Sequence, residues 1–182
     1  MLGKTSSTIL RLLQFLFAAC VLGLSINAVR WQYYHRAPAT NGYAAFVGAY
    51  GCLTALLGLH ALHSTSIAGY LVIGWDLMAA LFFFVDGVAM AIGLHGADCS
   101  DGNVYSTWGN SLISGGCVLR QQLDRYQCGF FAISDVEHRC RLARADMVLL
   151  WLGWVASLVA AGFSMHRARK DKKDAAAVVA AA

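Results

Sequence analysis

The chain of 182 residues holds a single proline, Pro38, and only 13% of its residues are charged. Chains that stay disordered are rich in charge and proline, and collagenous chains repeat proline and glycine, so neither class fits. A formal net charge of +4 is too modest to mark a nucleic-acid binder. No Asn-x-Ser/Thr acceptor occurs, no C-terminal prenylation signal is present, and the start Met1-Leu2-Gly3 does not place glycine for myristoylation. Cys-x-x-Cys is also missing, which removes the usual redox pair of a thiol oxidase. What is present instead is 58% hydrophobic residues, a mean hydropathy of +0.55 and recurring uncharged runs of bilayer-spanning length. The length suits one domain.

Four spans are predicted, at about residues 9–29, 43–62, 67–94 and 147–165. Without water to satisfy backbone amides, each is a helix. The fold class is therefore all-α, a four-helix transmembrane bundle with a loop over 95–146 between helices three and four. Residues 1–8 form a short N-terminus, 9–166 the membrane domain, and 167–182 a basic, then alanine-rich tail expected to be disordered. The first span exceeds a signal-peptide core and is read as a retained anchor. Residues 63–66 leave room only for a tight hairpin.

Lysine and arginine counts at the two ends of the spans nearly balance, so they do not fix orientation. Cysteines do. Cys99, Cys117, Cys128 and Cys140 cluster between spans three and four, as on an oxidising, extracytoplasmic face, which puts both termini in the cytoplasm. Disulfides are preferred to zinc binding, with Cys99 paired to Cys140 and Cys117 to Cys128 nested inside; Cys20 and Cys52 stay free. A short amphipathic turn of helix is expected over 118–126. The loop serves equally as a partner surface or as a cap. Arg167, Arg169, Lys170, Lys172 and Lys173 follow the last span, where a stop-transfer signal is preferred over specific contact with anionic lipid headgroups.

Inside a bilayer, helices associate through close approach at small residues. Gly153, Ser157 and Ala161 recur at four-residue spacing in span four, Gly51 and Ala55 in span two, and Gly87 and Ala91 in span three. Whether these faces pack within one bundle or between copies stays open. Arg11, Gln14, Ala18, Leu22 and Ser25 fall on one face of helix one, expected to look inward. Trp31, Tyr33, Tyr34 and Trp151 suit the interface belt.

Span three carries Asp76 and Asp86. Its aliphatic and phenylalanine side chains favour insertion by about 4 to 8 kcal/mol, while two central aspartates oppose it by about 5 to 7. Both acids therefore need relief. Helix rise separates them by about 15 Å, too far for a shared two-carboxylate active site. An Arg11 to Asp76 ion pair, with Gln14 as a further donor, is predicted; Asp86 is assigned to Asn27 or Arg30. Structural pairing is preferred over a proton relay, which needs titratable groups through the full depth. His60 and His95 lie at opposite ends and do not frame a haem, although His60 with His166 is not excluded geometrically; no cofactor, metal or catalytic residue is expected.

The run Arg11-Leu-Leu-Gln14-Phe-Leu-Phe-Ala-Ala-Cys-Val-Leu-Gly-Leu-Ser25 resembles the opening helix of fungal MARVEL-domain proteins, and Cys140-Arg-Leu-Ala-Arg-Ala145 resembles the stretch before their last span. The resemblance covers about residues 10–165. It implies four helices, cytoplasmic termini, and a basic residue in helix one facing an acid in helix three, matching Arg11 and Asp76; plant Casparian-strip membrane proteins are similar in that pairing. It further implies roles in membrane apposition, plasma-membrane domain organisation or vesicle trafficking, with self-association and no catalysis. Asp86, Cys117 and Cys128 depart from the minimal pattern. Tetraspanin and claudin cysteine signatures are not found here. The expected partners are the bilayer and a homo-oligomer or other membrane proteins, in the plasma membrane or the secretory route. The competing reading is a small proton or ion transporter or channel subunit using Asp76 or Asp86.

Overall fold

A computed structural model describes residues 2–63, 69–100, 110–120, 125–129 and 132–181. Four helices dominate: α1 (Leu2–Arg30), α2 (Ala39–His63), α3 (Gly69–Gly93) and α4 (Ile133–Ala181). All four are long and apolar enough to cross a membrane. Pro38 ends the link from α1, and its carbonyl accepts from the amides of Asn41 (3.1 Å) and Gly42 (3.3 Å), which closes the first turn of α2. The hairpin expected at 63–66 lies outside the described residues apart from His63, the last residue of α2.

The helices pack in a ring, α1 on α2, α2 on α3, α3 on α4 and α4 on α1, so α1 and α3 face each other across the core. Phe83 of α3 fills the centre and is fully buried. Glycines make room for it on both sides: a Cβ at Gly51 of α2 would lie 2.8 Å from the ring, and one at Gly153 of α4 would lie 2.7 Å from it. Gly48 brings α2 against the backbone of α1, where a Cβ would meet the Leu22 nitrogen at 2.6 Å. Ala18, Val21, Val47, Ala79, Met90 and Leu150 complete this core. Ile9, Leu12, Leu16, Leu53, Leu56, Leu71 and Leu81 point outward, the arrangement expected when the solvent is hydrocarbon.

Three expectations for the region after α3 are corrected. The last helix begins at Ile133 and not near residue 147. Asp135 accepts from the Ala132 amide at 3.1 Å, Glu137 pairs with Arg141 one turn on, and Val136 and Cys140 are buried on one face; a capped, charge-laced amphipathic turn extends the helix beyond the purely apolar run. Cys140 thus sits in α4 and not in the loop. Among the described residues of 118–126 the chain is strand and not helix: β1 (Cys117–Arg120) and β2 (Arg125–Cys128) pair antiparallel, with Cys117 opposite Cys128. A cross-strand disulfide between these two closes the hairpin and favours extended chain over helix. At the other end, α4 continues to Ala181 where an unordered tail was expected. Alanine has the highest helix propensity, and a helix already nucleated adds residues at little cost.

Candidate functional site

Polar side chains of α1 turn inward at three depths. Nearest the terminal end, the Arg11 guanidinium donates to Asp76 Oδ1 (2.5 Å) and Oδ2 (2.7 Å), to Gln14 Oε1 (3.0 Å) and to Ser164 Oγ (3.0 Å). Arg11 is 4% exposed and Asp76 1%. The pair spans the bundle from α1 to α3, Ser164 adds α4, and Gly58 of α2 has no Cβ because the guanidinium occupies that space. All four helices therefore meet at one charged group. A two-pronged guanidinium to carboxylate contact is the strong form of this interaction. One level deeper, the fully buried Gln14 donates from Nε2 to Ser157 Oγ at 3.2 Å. Ser157 and Ala161 are buried and Gly153 abuts Phe83, so this small-residue face of α4 packs inside the bundle; Gly51 and Ala55 of α2 do likewise.

The third level belongs to Ser25, whose hydroxyl donates to Asp146 Oδ2 of α4 at 3.0 Å. Asp86 of α3 is fully buried and within electrostatic reach of Asp146 and of Tyr43 on α2. Its expected partners are corrected: neither carboxylate oxygen of Asp86 has a hydrogen bond, so neither Asn27 nor Arg30 reaches it. Asn27 and Arg30 lie further along α1, toward its end. Trp151 is also relocated. It packs edge-on to Phe84 and Trp154 and against Gly87, at the depth of the core, and so does not mark the interface.

Beyond Asp146 a cap closes the bundle. Disulfides join Cys99 to Cys140 and Cys117 to Cys128. Leu94, Ala97, Ile113 and Val136 pack around the first. The Gly115 carbonyl accepts from the amides of Tyr33 (3.0 Å) and Tyr34 (3.1 Å), Arg144 donates to the Ala97 carbonyl, and Arg139 lies 5.2 Å from the Trp31 ring centroid. The loop after α1 is thus stitched to the loop after α3. At the opposite end, Arg169, Lys170, Lys172 and Lys173 are exposed and Arg167 is half-buried. His60 and His166 are exposed, and among the described residues no three His, Cys, Asp or Glu side chains converge as a metal site.

Asp146, Ser25, Tyr43, Gly58 and Ser164 were not assigned their contacts from sequence. One signal was available. Asp146, Gly153, Ser157 and Ser164 fall on a single stripe of α4 at alternating seven- and four-residue steps, the same face that meets Ser25, Phe83, Gln14 and Arg11.

No curated protein and no solved structure matches the chain. The family model described as a membrane-associating domain, MARVEL, matches residues 3–163, which takes in α1, α2, α3, the cap and α4 as far as Phe163. With four helices of spanning length gathered around inward-facing polar groups, this multi-pass membrane protein belongs to the MARVEL family.

Proposed function

We propose that the protein is a non-enzymatic organiser of membrane domains, acting in membrane apposition or vesicle trafficking through association with itself and with other membrane proteins. The observation that carries this reading is the sorting of surfaces. Arg11, Asp76, Asp86 and Asp146 are buried inside the bundle, while leucine, isoleucine, valine and phenylalanine side chains form the face toward lipid. A body of that kind diffuses as a unit and meets neighbours laterally. Neutralisation of Asp76 by Arg11 favours this over a transporter that works through Asp76.

In this reading both termini are cytoplasmic and the disulfide-bonded cap faces the oxidising side, in the plasma membrane or a secretory-pathway membrane. The exposed Arg169, Lys170, Lys172 and Lys173 then lie at an anionic leaflet surface, where each basic residue contributes about 1 kcal/mol of attraction. The likeness of α1 and of Cys140 to Ala145 to fungal members supports placing the chain in that branch. Imaging a tagged copy for patches, with crosslinking in native membranes to count subunits, tests the proposal. Patches and discrete oligomers are expected. A uniformly distributed monomer would reject it, as would a pH- or ion-dependent flux in proteoliposomes that Asp86→Asn abolishes with the fold intact.

A further inference from the structure

Asp86 stands apart from the other buried acids. Asp76 has Arg11, and Asp146 has the Ser25 hydroxyl on one oxygen. Asp86 is fully buried with both oxygens bare, and the second oxygen of Asp146 is bare as well. The two acids lie on helices that pack against each other, α3 and α4.

The groups around them come from every helix. The Ser25 hydroxyl of α1 donates to Asp146 Oδ2. Tyr43 of α2 is the titratable group facing Asp86 from that side. Of the cations in this half of the molecule, Arg144 donates to the Ala97 carbonyl, Arg139 lies over Trp31 in the cap with its buried Nη1 unbonded, and Arg30 is exposed at the end of α1. Among the described residues, three buried carboxylate oxygens, two on Asp86 and one on Asp146, accept no hydrogen bond and have no cation paired to them. A buried polar atom left unpaired is costly, and two buried like charges more so. One proton supplies both missing things. A metal ion fits less well, because hard cations take six or more oxygen ligands or near-octahedral shells and no three-ligand cluster converges among the described residues.

We propose that Asp86 is a proton-binding site inside the bundle. The proton resides on Asp86, whose carboxylate takes it up to become a neutral acid, while Asp146 stays the acceptor of the Ser25 hydroxyl. The site is separate from the Arg11 to Asp76 pair and does not depend on the organiser role, since it persists whether or not the protein forms patches.

Infrared difference spectroscopy of the full chain in lipid bilayers, titrated from neutral to alkaline pH, reads this directly. The expected result is a protonated-carboxyl carbonyl band at neutral pH that is lost as pH rises, is missing in Asp86→Asn, and moves in position without vanishing in Asp86→Glu. The glutamate variant keeps the assignment usable where the asparagine variant fails to fold. Three results overturn the proposal: no such band at any pH in the unmodified chain, a band unaltered in both Asp86 variants, or removal of the band by sodium at constant pH, which would assign the site to a metal cation.

Discussion

Arg11 can be carried inside the bundle because its charge and its N–H groups are spent on Asp76, Gln14 and Ser164. Removing one member strands the other in hydrocarbon. Breaking a buried pair on one side costs about 3 to 5 kcal/mol in proteins generally. Arg11→Gln and Asp76→Asn are each expected to lower the folded fraction in detergent by an amount of that order, while the double variant loses clearly less than the sum; strictly additive losses would show that the two side chains act separately. A second prediction concerns Gly58, whose position is filled by the same guanidinium. Gly58→Ala pushes Arg11 off Asp76 or α2 off α1, at about 1 to 3 kcal/mol. Thermal unfolding in detergent should detect it, and Gly23→Ala, where nothing lies within 4 Å of the added carbon, should leave the midpoint nearly unmoved.

At the scale of elements, α2 and α4 approach α3 closely because Gly51 and Gly153 clear both faces of one phenylalanine ring. Gly153→Val is therefore expected to destabilise the bundle by about 1 to 3 kcal/mol through overpacking. Combining it with Phe83→Leu should recover part of that loss in a denaturation series, since the smaller side chain yields the space. Positions of α1, α2 and α3 were legible in the sequence, because twenty or so apolar residues between polar ends have no stable form in lipid except a helix. The inward face of α1 was legible for the same reason, polar residues at helical spacing having only one place to go. α4 was legible only in its middle. Its start at Ile133 lies in polar sequence where helix, strand and loop compete on nearly even terms, and tertiary contacts of Val136 and Cys140 decide. Assigning Asp146 to the loop hid its bond to Ser25, and Asp86 was matched to the wrong level of α1 because chain position gives depth but not which helices adjoin.

For the whole molecule the disulfides act at different distances in the chain. Cys99 to Cys140 closes a loop of sequence separation 41 and ties the end of α3 to α4, with buried Ile113 and Val136 beside it. Cys117 to Cys128 closes a separation of 11 and joins only the two strands of the hairpin. Restricting the unfolded chain in this way is worth about 4 kcal/mol for the longer loop and about 3 for the shorter in the chain-entropy picture, and spans that stay inserted when the bundle opens reduce both. The two bridges differ more in what they hold than in loop entropy. Opening the longer one frees the cap core from the helix that carries Asp146, whereas opening the shorter leaves α3, α4 and the packed residues between them in place. Paired Cys99→Ser and Cys140→Ser substitutions should thus lower the thermal midpoint in detergent more than paired Cys117→Ser and Cys128→Ser. The longer bridge's loss should also expose amides at the start of α4, near Val136, to hydrogen exchange while leaving those around Arg11 protected. Equal midpoints, or loss of protection at both ends of the bundle together, would mean that the cap and the ion-paired end unfold as a single unit.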